Sequence, residues 1–260
     1  MTCGVARRRI CGGVRMLLEA HNVAKAFGSF WAVAGADLAV EEGEIVGLIG
    51  PNGAGKSTFF NCLAGDTLPT SGRILFDGID VTRATPEAHA RAGIGRTFQV
   101  PTTFEDMSVL DNVMVGAFLR HPHRGDAREH ALRIVELTGL RPDQPGRSLG
   151  TPGRKRLGIA RVLATEPRLL LLDEALAGLT PGELREAIAL VRRIQETGVT
   201  IVIVEHIMEV IMTLTRRVLV FNQGKVIAGG TPEQVVKDEA VIEAYLGRGA
   251  RSHSRESGNP

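Results

Sequence analysis

Between residues 16 and 27 the chain reads MLLEAHNVAKAF, an alternation of apolar and polar positions that predicts a strand. A turn at Gly28 leads to AVAGADLAV, a second strand, and EEGE then turns the chain into EIVGLIG, a short apolar run of the buried-strand type. TFFNCLAG predicts a helix closed by Gly65, and GRILFDGIDV a hairpin about Asp77-Gly78. The period changes across 103–148. SVLDNVMVGAF and DAREHALRIVELTGL are helical, with Ala131, Ile134, Val135 and Thr138 at i, i+3, i+4 and i+7. A helix (GRKRLGIARVLATE), a strand (RLLLLDEA), a helix (GELREAIALVRRIQET) and a strand (VTIVIVEH) follow, then another helix and the strand pair in RVLVFNQGKVIAGG. Strands separated by helices imply a parallel sheet wound by crossover helices, an α/β fold with a helical insertion.

The stretch Gly50-Pro-Asn52-Gly53-Ala54-Gly55-Lys56-Ser57-Thr58 fits G-x-x-x-x-G-K-[ST], with a strand before it and a helix after it. The glycines let backbone N–H groups close round phosphate oxygens, and the following helix points its positive end at them. Lys56 is placed to reach the β- and γ-phosphates, and the Ser57 hydroxyl to ligate Mg²⁺. Leu169–Leu172 run into Asp173-Glu174, an apolar strand ending in two carboxylates. Asp173 is the candidate metal ligand, and Glu174 the group that orients and polarises the attacking water. His206 follows another buried strand and is the candidate γ-phosphate sensor. Gln99 is placed to reach metal and water. Phe27 is the candidate for stacking on a base, with Phe30 and Trp31 competing. Each of these, met alone, would read as a turn, a structural ion pair or a satisfied polar residue; the order in which they occur gives them weight.

Taken together the residues resemble an ABC-type ATPase over about residues 16–248. In order stand an aromatic (Phe27), Walker A (Gly50–Thr58), a Q-loop (Gln99), a signature region near 148–157, Walker B (Leu169–Glu174), a D-loop (177–180) and a switch histidine (His206). The resemblance implies a P-loop NTPase core with a mixed parallel and antiparallel sheet and a helical subdomain at about 100–155. KAFGSFWAV, GEIVGLIGPNGAGKSTFFNCLAG, PTSGRILFDGIDVT, GIGRTFQ, LDNVMVGA and VIEAYLG are similar to the ATP-binding subunits of branched-chain amino acid importers. That likeness implies ATP and Mg²⁺ as cofactors, two membrane permease subunits as partners, indirectly a solute-binding protein, and a peripheral place on the cytoplasmic face of the inner membrane. Sister systems for urea and amides share the same features. The segment after Gln99, with Phe104 and Met107, is the candidate permease contact.

Two departures stand out. The family signature is close to LSGGQ, whereas here Leu149-Gly-Thr-Pro-Gly153-Arg-Lys-Arg156 puts Pro152 at the second glycine. Thr151 is expected as N-cap with Pro152 first in the helix, leaving Thr151 and the N–H groups of Gly153 and Arg154 for the ATP held by the opposite subunit. A degenerate signature favours a heterodimer with a second ATP-binding subunit, a homodimer being the alternative. The other departure is Ala175, where the family commonly has proline.

Composition narrows the remaining classes. No apolar run approaches the ~18 residues that span a bilayer. A formal charge of +2 over 260 residues leaves no whole-chain footprint for nucleic acid. The three cysteines, Cys3, Cys11 and Cys62, lack metal-ligand spacing, and the reading is a reducing compartment. Residues 1–15 and 249–260 have no helical or strand period and are expected to be disordered, with Met16 as the expected start. A non-transport ABC ATPase, of the DNA-repair or ribosome-associated type, would carry a long coiled coil or two cassettes, and neither is present.

Overall fold

The computed structural model describes residues 15–98 and 103–246. Its first sheet begins with β1 (Met16–Phe27) and β2 (Phe30–Glu41), antiparallel partners that meet at Phe27 and Phe30 across Gly28, whose φ is +61°. β4 (Ser71–Phe76) pairs with the other edge of β1, and β5 (Ile79–Asp80) closes the order β2-β1-β4-β5. Asp77 and Gly78 both have positive φ, as a two-residue hairpin turn requires. Arg15, grouped with the extension on sequence grounds, is held instead: its guanidinium pairs with Glu42 and Asp77, and its carbonyl accepts from the Glu42 N–H. Residues 1–14 and 247–260 lie outside the described residues.

The second sheet has β3 (Ile45–Ile49), β6 (Ile94–Arg96), β7 (Leu169–Asp173), β8 (Thr200–Val204), β9 (Arg217–Asn222) and β10 (Lys225–Gly230) in the order β10-β9-β3-β8-β7-β6. All neighbours are parallel except the β9–β10 pair. Every residue of β3, β7 and β8 is buried, so these strands read as unbroken apolar runs rather than alternations. Their side chains still alternate between faces. Val46, Leu48, Leu169, Leu171, Val202 and Val204 pack with Phe59 and Phe60 of α1 (Lys56–Leu63) and with the first sheet. Leu170, Leu172, Ile201 and Ile203 pack the opposite way, under α6 (Pro181–Glu196), whose start Thr180 and Glu183 fix by a capping box.

The insertion is a three-helix arm: α3 (Val109–Ala117), α4 (Arg124–Thr138) and α5 (Thr151–Leu163). Val113, Ala131, Val135, Leu157 and Ala160 share one buried cluster, so the packing of the arm runs on past residue 155. Asn112, fully buried on α3, ties down the approaching loop: its Oδ1 accepts from the Phe104 N–H, and its Nδ2 donates to the carbonyls of Phe104 and Ser108, each at 2.9 Å. The short helices α2 (Pro86–Ala92), α7 (Met208–Leu214), α8 (Pro232–Val235) and α9 (Glu239–Leu246) complete the described chain. No helix among the described residues is long and apolar enough to cross a membrane.

Candidate functional site

Parallel strands all finish on one edge of a sheet, and the order of the second sheet decides which loops meet there. Leu48 of β3 registers with Val204 of β8, and Val204 with Asp173 of β7. The glycine loop after β3, the acid pair at the end of β7 and the histidine after β8 therefore leave adjacent strand ends. β6 adds Thr97 beside β7, its N–H donating to the Leu171 carbonyl at 2.9 Å. Gln99 follows on the same edge in sequence but lies outside the described residues.

The loop from Gly50 to Gly55 is shaped by backbone that other residues would strain. Gly55 has φ +100°, and a Cβ there would lie 2.3 Å from the Ala32 carbonyl oxygen of β2. At Gly53, with φ +76°, a Cβ would meet no heavy atom within 4 Å, so its backbone faces open space. Asn52 and Gly53 are exposed and Ala54 is buried. Lys56, almost fully buried, donates from Nζ to the carbonyls of Gly50 at 2.7 Å and Pro51 at 3.0 Å. Burial lowers its pKa, while the nearby carboxylates Glu174 and Asp173 oppose that shift. Ser57 is exposed and Thr58 half-buried, both on the first turn of α1.

Asp173 is buried, and its pKa is raised by that burial, against the pull of Arg96, whose Nη2 lies 3.2 Å from Oδ2. Arg96 also pairs with Asp66, so one guanidinium joins the end of α1 to the acid pair. Glu174 takes a left-handed backbone (φ +45°), and its N–H donates to the Val204 carbonyl at 3.0 Å, which binds the acid pair to the neighbouring strand end. Such a conformation in a non-glycine residue costs on the order of 1 kcal/mol and turns the side chain off the strand path. Behind it sits Glu205, fully buried, accepting from the Leu176 N–H at 2.9 Å. Burial raises its pKa, with His206 among the groups that oppose this. His206 itself is exposed.

Phe27, Phe30 and Trp31 are all exposed where β1 turns into β2. The neighbouring β2 backbone touches the glycine loop: the Gly224 N–H donates to the Ala54 carbonyl, and the Ala34 N–H to that of Gly224. The Lys25 ammonium lies 5.0 Å from the centre of the Phe27 ring.

The degenerate signature differs from expectation by one residue. The N-cap of α5 is Gly150, in extended conformation, because its carbonyl accepts the first helical bond, from the Arg154 N–H at 2.9 Å. Thr151 is the first helical residue and exposed, Pro152 the second, and no side chain caps the helix. The Arg154 N–H is thus spent within the helix, which removes it from the expected donor set. Its side chain turns back instead, Nε donating to the Leu149 carbonyl at 3.0 Å and the guanidinium facing Glu105. Gly153 packs so closely on Leu149 that a Cβ would sit 2.9 Å from Cδ2. Phe104 is exposed with the Arg161 guanidinium 4.5 Å from its ring centre, and Met107 is half-buried.

Arg96, Lys155 and Glu205 hold this edge together and were not singled out from the sequence. Only Glu205, beside His206, carries a local clue: a carboxylate at the end of an all-apolar strand needs a buried donor.

A nucleotide-sized phosphate chain fits what these residues offer. Strained glycines open a backbone nest at a helix N-terminus, with a buried ammonium beneath it. The hydroxyl of Ser57 and the carboxylate of Asp173 are hard oxygen donors of the kind Mg²⁺ takes. The geometry defines a P-loop ATPase. The sequence profile of the ABC transporter family matches residues 33–177, and that of the branched-chain amino acid ATP-binding cassette transporter matches 225–251. The chain belongs to the ABC transporter family of ATP-binding proteins. It is 39% identical over 252 residues to the high-affinity branched-chain amino acid transport ATP-binding protein BraF of Pseudomonas aeruginosa, covering 90% of this chain and 98% of that one. With LivG of Escherichia coli, of the same description, identity is 37% over 249 residues, covering 89% and 98%. Among solved structures, a nucleotide-free ATP-binding cassette from an ABC transporter superposes with a TM-score of 0.82 at 30% identity, covering 89% of this chain and 99% of that one.

Proposed function

We propose that this chain is the ATP-hydrolysing subunit of an importer for branched-chain amino acids or a related small polar solute. It works through two membrane permease subunits and, indirectly, a solute-binding protein, from a peripheral position on the cytoplasmic face of the inner membrane. The observation that supports the reading most is the meeting of Lys56, the Asp173-Glu174 pair and the His206 turn on one strand edge. The profile match at 225–251 favours this branch of the family.

In this scheme the N–H groups of the loop, with Asn52, Gly53, Ala54, Gly55, Ser57 and Thr58, enclose the phosphates of ATP, and Lys56 neutralises the β- and γ-groups. Phe27 packs on the base. Glu174 orients and polarises the attacking water, Gln99 reports on it, and His206 contacts the γ-phosphate. Ser57, Gln99 and Asp173 would hold Mg²⁺, which when bound offsets charge on the phosphate oxygens. Thr151 and Gly153 face the ATP of a second subunit. Since that segment lacks the serine–glycine pair and has lost the Arg154 N–H, we assign the working state to a heterodimer. The 103–108 loop, with Phe104, is the proposed permease contact. Residues 16–248 form the working cassette in this reading, with the two ends outside it.

Reconstitution tests it. With its permeases, a second ATPase subunit and the binding protein in liposomes, leucine uptake should depend on internal ATP. Lys56→Ala should lose ATP binding. Glu174→Gln should keep binding, trap a dimer and lower turnover about 10²–10⁴-fold. Normal turnover in Glu174→Gln would dismiss the water-activating assignment. Cooperative hydrolysis by the chain alone, unchanged in Thr151→Ala, would dismiss the heterodimer.

A further inference from the structure

Three side chains far apart in sequence converge behind the helical arm, away from the strand edge just described. His121 lies between α3 and α4, His130 on the buried side of α4, and Glu166 in the turn from α5 to β7. His121 Nε2 is 2.7 Å from Glu166 Oε1, and His130 Nδ1 is 3.6 Å from the same oxygen. The two rings lie 4.7 Å apart, and one ligand atom from each residue falls within 4.8 Å of the other two. We propose that His121, His130 and Glu166 form a binding site for a divalent transition ion of the zinc class.

One carboxylate oxygen faces two imidazole nitrogens from different segments. A divalent ion offers a single centre to which neutral imidazoles and a carboxylate all turn lone pairs. Ligand atoms around a tetrahedral zinc, each about 2.0–2.1 Å from the ion, lie roughly 3.4 Å from one another. The 3.6 Å separation is already close to that, the exposed Glu166 side chain can give the roughly 0.7 Å needed at His121, and the two ring nitrogens, within 4.8 Å of one another, would close in on the ion.

The surroundings hold these groups in place. His130 is only 8% exposed, and its Nε2 is buried beside the Ala164 backbone, which leaves Nδ1 as the nitrogen turned towards Glu166. The His121 N–H donates to the Ala117 carbonyl at 2.9 Å, and Arg120 reaches the carbonyls of Arg91 and Thr165. Glu166 itself sits at φ +55°, a conformation that directs its side chain out of the turn. An ion here would tie the arm to the segment that enters β7, three segments joined at one point.

The test uses the full chain, stripped with EDTA and titrated with ZnCl₂ in nucleotide-free buffer by calorimetry, with Co²⁺ as a spectroscopic stand-in. One saturable site per chain is expected, with a Co²⁺ d–d spectrum of nitrogen–oxygen type. His121→Ala and Glu166→Gln, both at partly exposed positions, should each weaken zinc binding at least about tenfold. His21→Ala, on the surface of β1, should leave it unchanged. Zinc should raise the melting temperature of the wild type and fail to raise that of Glu166→Gln, whose circular dichroism in EDTA should match the parent. Absence of saturable binding, or affinity that survives both His121→Ala and Glu166→Gln, would overturn the proposal.

Discussion

Lys155 of α5 donates from Nζ to the Ala177 carbonyl at 2.7 Å and approaches the Glu174 carbonyl at 3.4 Å, so the helical arm grips the loop that carries the acid pair. Burial depresses the Lys155 pKa, with Glu205 and Glu174 opposing that shift. A motion of the arm therefore reaches the backbone of Glu174 directly through Lys155, beside the packing of Ile159 in one cluster with Ala175 and Leu176.

Lys155→Met keeps the aliphatic stem and removes the donor. Unfolding in urea should show a loss of about 1.5–3 kcal/mol, the range for a hydrogen bond from a charged group. ATP affinity should stay close to wild type, because Lys56 and its loop are untouched, while turnover falls. An unchanged turnover would separate this grip from the chemistry.

Asn112→Ala should destabilise the arm by about 1–3 kcal/mol, since it orphans the Phe104 N–H, while the Phe104 and Ser108 carbonyls keep the backbone N–H groups of Met107 and residue 112. The same variant should speed amide exchange across residues 104–108, measured by mass spectrometry, while the strands exchange as before.

Cys62 lies buried on α1, where burial pushes its thiol pKa up to about 11 against the pull of Lys25. At pH 8 about one such thiol in a thousand is ionised, too few for alkylation even before access is considered. Iodoacetamide should modify Cys62 only after denaturation, as peptide mapping would show. Rapid labelling of the native protein would contradict the buried placement.

Asp77 shares the guanidinium groups of Arg15 and Arg168 with Glu42. Burial works against its charge, but the hydrogen bonds from Arg168 and Arg15 prevail and hold its pKa below the ordinary carboxylate value. A carboxyl lowered in the folded state adds stability above its unfolded pKa, about 3.9, and that gain is lost as pH falls through the lowered value. Asp77→Asn should therefore melt earlier than wild type at pH 7, and the gap should close at pH values below the carboxylate range. A gap that persists at pH 2 would point to packing instead.

Much of this architecture could be read from local pattern. The alternation in MLLEAHNVAKAF, the unbroken run of Leu169–Leu172 and the Asp77-Gly78 turn each carry their own period or backbone requirement, and each appears as read. The periodic pattern does not predict α2, β6, α8 or α9. β6 is three residues long with a glycine in the middle, and α2 is a polar seven-residue helix whose cue is the Thr85 cap ahead of Pro86. The cap of α5 was misplaced by one residue, since Gly150 and Thr151 are both acceptable caps and only the hydrogen bond from Arg154 chooses between them. Contacts such as Arg96 with Asp66 and Asp173, or His121 with Glu166, join residues whose separation no periodicity encodes. Long side chains bridging distant segments are set by the final packing, so they become visible only when the chain is folded.

The ammonium of Lys56 already rests on two main-chain oxygens of its own loop. Any anion that recruits it must compete with those oxygens, so capture is an exchange of partners, and its strength is a difference between two solvating shells. Weak acceptors such as chloride or bicarbonate gain little by that trade. A triphosphate, bringing several charged oxygens at once, gains a great deal, which makes the loop selective before any base is recognised.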